Sequence, residues 1–76
     1  MDVRQVFGTN VRRLRLEKGM SQEEFGFAAG IDRTYVSGVE RGLRNPSLVL
    51  AQKFAKGLDI ELFELLKPLE RKARSQ

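Results

Sequence analysis

Apolar positions at the start of the chain fall at Val3, Phe7, Val11 and Leu14, a stripe of helical period. The stripe predicts a first helix from Met1 to Lys18, with Asp2 available as its cap and Gly19 as its stop. Arg12, Arg13 and Arg15 fall on its polar side, where basic residues near the C-terminus suit the helix dipole. Met20 then turns inward. Phe25, Ala28 and Ala29 share one face of a short second helix, Gln22 to Ala29. Ser21 caps it, Glu24 completes a capping box, and Gly30 closes it in the left-handed conformation. Val36 and Val39 mark the inner face of a third helix, Arg33 to Arg41, with Asp32 as N-cap and Ile31 plugging the turn before it. Gly26 falls where the second and third helices should cross.

A loop, Gly42 to Pro46, leads to Ser47, the cap of a fourth helix from Leu48 to about Gly57. Leu48, Ala51, Phe54, Ala55 and Leu58 form its expected inner face. Asp59 and Ile60 make a turn. Glu61 to Leu66 reads as a short fifth helix with Leu62 and Leu65 in the core, ended by Pro68. The expectation is an all-α, five-helix domain over residues 1–68, followed by a basic tail, 69–76.

The second and third helices, joined by a short turn, have the spacing of a helix-turn-helix, whose second helix enters the major groove of DNA. The polar side of the third helix carries Arg33, Thr34, Tyr35, Ser37, Gly38 and Arg41: donors, hydroxyls, one aromatic ring and a gap.

From Gly19 to Ser47 the chain strings together GMSQEEF, AGI, VSGVERG and RNPS. This ordered series resembles the phage-repressor and Cro family of bacterial DNA-binding proteins, also called the xenobiotic-response-element family. The resemblance runs from about Phe7 to Leu65. A narrower similarity, carried by DRTYVSGVER at 32–41, is to controller proteins of restriction–modification systems. The resemblance implies a bacterial or phage source and an ion pair between Arg15 and Glu40 that ties the first helix to the third. It also makes Gly38 a departure, because the family often has a long polar residue there. Leu16 and Phe27 stand where the family usually has polar side chains.

With that frame, reach assigns roles. Arg33 can grip guanine O6 and N7 with two bonds, and the Thr34 methyl can touch a thymine methyl. Tyr35 and Ser37 complete the expected base-reading set. Gly38 would let the backbone come closer to DNA. Gln22 at a helix N-terminus, with Arg41, Arg44 and Asn45 after the third helix and Arg12 and Asn10 flanking, is the expected phosphate-binding set.

Composition agrees with a nucleic-acid partner. The chain has 76 residues, 14 of them basic and 10 acidic, a net charge of +4 and a pI near 10.0. It has no cysteine and no histidine, which removes disulfides, thiolate metal sites and the commonest general base. Asp59, Glu61 and Glu64 read as a solvated helix face, not an acid–base pair. No metal-ligand spacing and no phosphate-binding glycine loop is present, so neither enzyme activity nor a cofactor is expected. No apolar run approaches the ~20 residues of a membrane span, and MDVRQVFG lacks the apolar stretch of a signal peptide. A cytoplasmic location is expected, with no membrane partner.

A domain this small buries little surface, which favours oligomerisation. Phe63, Leu66 and Ile60 are the expected homodimer contacts, because Leu62 and Leu65 can serve the core. The expected partners are therefore double-stranded DNA, a second copy and, for a transcription regulator, RNA polymerase. The rival from another class is an antitoxin-like or adaptor protein that uses the same fold to bind protein. Binding to random duplex across a salt series separates the two, since only phosphate contacts release counterions.

Overall fold

A computed structural model describes residues 2–69. Met1 and residues 70–76, most of the expected basic tail, lie outside the described residues. Four α-helices, α1 (Val3–Glu17), α2 (Gln22–Ala29), α3 (Arg33–Glu40) and α4 (Leu48–Leu58), are followed by a 3₁₀ turn, Leu62–Leu66. No strand occurs among the described residues.

Local chemistry sets the helix ends. Asp2 accepts from the Arg4 N–H at 2.7 Å, while Gln5 Oε1 accepts from the Asp2 N–H at 3.1 Å. The Arg4 side chain bonds the same carboxylate and holds its pKa down to about 2. At α2, Ser21 Oγ accepts from the Glu24 N–H at 2.9 Å and Glu24 Oε1 accepts from the Ser21 N–H at 2.8 Å, a complete capping box. Gly30 closes α2 with φ 72°, and the Ile31 N–H reaches back to the Gly26 carbonyl at 2.8 Å. Asp32 occupies the N-cap position of α3 but makes no side-chain cap bond.

Phe54 is the hub of the core. Its ring meets Phe7 edge-on at 5.6 Å, Phe25 at 5.8 Å and Tyr35 at 6.4 Å between centroids, so one aromatic gathers α1, α2 and α3 onto α4. Val11, Val36, Val39, Leu58 and Leu65 are buried in the same core. Gly8 lets α1 lie directly on α3: a methyl group at its Cα would collide with the Val39 carbonyl oxygen.

Several expectations change. The fifth helix is a 3₁₀ turn, so the fold has four α-helices. The six residues between Glu61 and Pro68 leave space for little more than one turn, and tight i→i+3 geometry suits such short pieces. Here Leu65 is buried and Leu62 packs partly against the core. α4 runs through Gly57 and ends at Asp59, which adopts the left-handed conformation. A side chain at Gly57 would press on Ala29 and the Phe25 ring. Val3 and Leu48, expected inside, are exposed. Ala28 is also exposed, and Gly26 takes its place on the inner face of α2.

Candidate nucleic-acid interface

The turn between α2 and α3 is Gly30, Ile31 and Asp32. Its close approach depends on Gly26, where a methyl group would lie 2.5 Å from the Ile31 carbonyl oxygen. Ile31 is buried beneath the turn. The result presents the start of α3 to solvent: Arg33 and Thr34 are exposed, and neither side chain makes a hydrogen bond among the described residues. Ser37, one turn further on, is half-buried.

Tyr35 is set differently. Its ring is half-buried against Phe54 on one side, and the Arg44 guanidinium lies over it with Cζ 5.4 Å from the centroid. Gly38 is buried because Arg44 runs across it, with Cγ 2.9 Å from where a methyl group at Gly38 would stand. The gap at Gly38, expected to let the helix backbone approach DNA, is thus filled by the protein's own Arg44. Arg41, Arg44 and Asn45 are exposed after α3, and Arg12 is exposed on α1.

A buried ion pair holds α3 in place. Arg15 Nε donates to Glu40 Oε2 at 2.7 Å and Nη2 donates to Oε1 at 2.9 Å. The two side chains are 7% and 2% exposed. The bond to Glu40 raises the Arg15 pKa above the ordinary arginine value, so the guanidinium stays charged. Arg15 Nη1 also donates to the Met20 carbonyl at 2.7 Å, which fixes the α1–α2 link. Gln22 Nε2 donates to Glu40 Oε1 at 3.0 Å. Gln22, expected on phosphate, therefore also braces the pair from the first turn of α2.

Asn10 corrects an expectation. It is 1% exposed, and its amide donates to the carbonyls of Leu65 at 3.0 Å and Lys67 at 2.9 Å. Its oxygen accepts from Arg13 Nη2 at 3.2 Å. With every polar atom engaged, Asn10 clamps the 3₁₀ turn to α1 and has nothing left to offer a phosphate. Sequence reasoning missed this clamp. The available signal was an asparagine between Phe7 and Val11, one position short of the apolar stripe.

Among the apolar residues assigned to a dimer contact, Phe63 is 61% and Leu66 43% exposed, whereas Ile60 packs partly on the core. Leu16 and Leu43 are also exposed, and Phe27 is 91% exposed. Among the described residues there is no group of acidic side chains able to hold a metal ion, and no helix is long and apolar enough to cross a membrane.

Two short helices joined by a three-residue turn, the second with a polar exposed start and an end anchored to α1 by an ion pair, define a helix-turn-helix protein. The chain belongs to the helix-turn-helix family, whose pattern matches residues 11–65. It is 44% identical to control protein C.MunI of a Mycoplasma species, over 92% of this chain and 96% of that one. Its fold is similar to that of the restriction–modification controller protein C.AhdI from Aeromonas hydrophila, at 55% identity and TM-score 0.78, covering 82% of this chain and 94% of that one. It is also similar to the controller protein C.Esp1396I, whose tetramer has been solved with its natural 35-base-pair operator. That match has 35% identity and TM-score 0.79, over 87% of this chain and 91% of that one. The all-α regulator fold and the likeness to controller proteins read from the sequence both hold.

Proposed function

We propose that this protein is a sequence-specific, double-stranded DNA-binding regulator of the controller type, acting in the cytoplasm as a homodimer on a pseudo-palindromic operator. The observation that carries the reading is the exposed Arg33–Thr34 pair at the N-terminal end of α3, while the buried Arg15–Glu40 pair anchors the other end of that helix to α1. That end of the second helix is the part that meets base edges in this motif. Arg33 and Thr34 read bases, with Tyr35 and Ser37 at the edge of the same surface. Gln22, Arg41, Arg44, Asn45 and Arg12 hold phosphates on either side. The operator-bound relative supports double-stranded DNA as the ligand.

The dimer contact centres on Phe63 and Leu66. In a 3₁₀ turn residues three apart lie on one side, so the two form a single apolar patch. Leu66 also joins Val3, Leu48 and Pro46 around a groove of about 210 Å³, which extends that patch. If the protein activates transcription, RNA polymerase is the partner it would recruit.

Selection from a pool of randomised duplexes, followed by sequencing of the bound fraction, tests the proposal. An enriched sequence with two-fold symmetry is expected. A pool that stays random would contradict sequence-specific binding. A protein that captures no duplex even at low salt would favour the adaptor reading.

A further inference from the structure

We infer that Gly38 is a positioning residue for DNA binding: the space left by its missing side chain is the seat that holds Arg44 against Tyr35, on the DNA-facing side of α3. The inference rests on the reading that this side of α3 meets DNA, and it adds how one of the proposed phosphate contacts is built.

Three observations converge. A methyl group at Gly38 would stand 2.9 Å from Arg44 Cγ, 3.0 Å from Nε and 3.5 Å from Cδ. The Arg44 side chain therefore lies along α3 in the volume that a side chain at 38 would fill. Beyond this seat the guanidinium covers the Tyr35 ring, 5.4 Å from its centroid, and that ring is backed by Phe54. The loop is tied at the same point by its main chain, where the Leu43 N–H donates to the Gly38 carbonyl at 2.9 Å. Arg44 makes no ion pair among the described residues, so its N–H groups remain available to an anion.

A loop arginine loses much of its rotamer freedom when it grips a ligand. A seat and an aromatic platform restrict that freedom beforehand, which is how preorganisation raises affinity. A planar guanidinium can stack on a ring face and keep its edge free for phosphate. Gly38, Tyr35 and Arg44 thus act as one unit, with a side chain from the loop taking the place of one from the helix.

The test compares the wild type with Gly38→Ala, Arg44→Ala, Arg44→Lys and the double variant Gly38→Ala with Arg44→Ala. The probe is the duplex enriched by the wild-type protein. Tyr35 is the chain's single tyrosine and there is no tryptophan, so intrinsic emission reports directly on the guanidinium above that ring. Gly38→Ala should keep or raise the melting midpoint, because alanine favours helix over glycine and the displaced atoms belong to a flexible side chain. It should nevertheless change Tyr35 emission and weaken DNA binding about tenfold. Arg44→Lys retains the charge but not the planar guanidinium, and should change the emission and lose affinity several-fold. In the Arg44→Ala background, Gly38→Ala should have no further effect on binding.

Full affinity in Gly38→Ala or in Arg44→Lys would overturn the positioning role, as would a markedly lowered midpoint in Gly38→Ala. A loss from Gly38→Ala that persists undiminished without Arg44 would overturn it too. Undiminished affinity in Arg44→Ala would instead count against the DNA-facing reading of this surface. The two failures are therefore distinguishable.

Discussion

At the scale of single residues, position under α3 separates structural charge from charge that is free to bind. Arg15 and Glu40 are nearly buried and bond each other through two hydrogen bonds, with Met20 and Gln22 as further partners. Removing one partner strands the other away from water. Arg15→Ala should therefore cost roughly 3–5 kcal/mol of stability, read as a lowered urea midpoint; an unchanged midpoint would show that the pair contributes nothing. Arg33 is the opposite case, exposed and without a partner among the described residues. Arg33→Ala should leave the urea midpoint in place and remove ~1–3 kcal/mol of operator binding per half-site, with a much smaller loss on random duplex. Equal losses on both duplexes would contradict a base-reading role. These two arginines were legible in the sequence because motif order distinguishes them. Asn10 was not. Its side chain answers two main-chain carbonyls more than fifty positions away, Leu65 and Lys67, and no local pattern records such a pairing. The seat at Gly38 was hidden for the same reason: a glycine in sequence shows a gap but not what fills it.

At the scale of elements, the caps and stops were readable because they act within a turn. Ser21 with Glu24, and Gly30, do what their chemistry dictates. The fifth helix was misread as α because five residues carry too few turns for periodicity to choose between α and 3₁₀ geometry. Val3 and Leu48 were misplaced because each begins its helix, where the stripe still points inward but the neighbouring element no longer covers it. The crossing of α1 and α3 adds a constraint that periodicity does not reveal. At Gly8 the obstruction to a side chain is main chain, Val39 O and Glu40 C and O, and main chain cannot rotate aside. Gly8→Ala should force the two helices apart and destabilise the fold by about 1–3 kcal/mol, despite alanine's better helix propensity. Thermal unfolding checks this, and a midpoint equal to or above wild type would contradict the packing described.

At the scale of the whole molecule, the core is built around Phe54 and leaves two surfaces with distinct chemistry. One is the polar start of α3 with the basic loop after it. The other is the apolar patch of Phe63 and Leu66, continued by Val3 and Leu48. Two-fold dimers join like patches, so Phe63→Glu with Leu66→Glu would bring four carboxylates into one apolar contact. Both residues are exposed, so the double variant should retain its helical circular dichroism, sediment as a monomer and bind DNA more weakly, as one half-site alone is read. A variant that still sediments as a dimer would move the contact elsewhere, with Leu16, Phe27 and Leu43 the next candidates among the exposed apolar residues; one that unfolds would assign the pair to the core.

In the proposed complex α3 reads sequence while the basic flanks grip phosphate. The most direct measurement is fluorescence anisotropy of the selected operator duplex and of a scrambled duplex of the same composition, titrated with the protein over a range of salt. Operator affinity should exceed scrambled affinity by about a thousandfold or more. Both should fall as salt rises, with a slope of about −0.9 in log K against log salt for each phosphate neutralised. Equal affinity for the two duplexes, or binding indifferent to salt, would contradict the account.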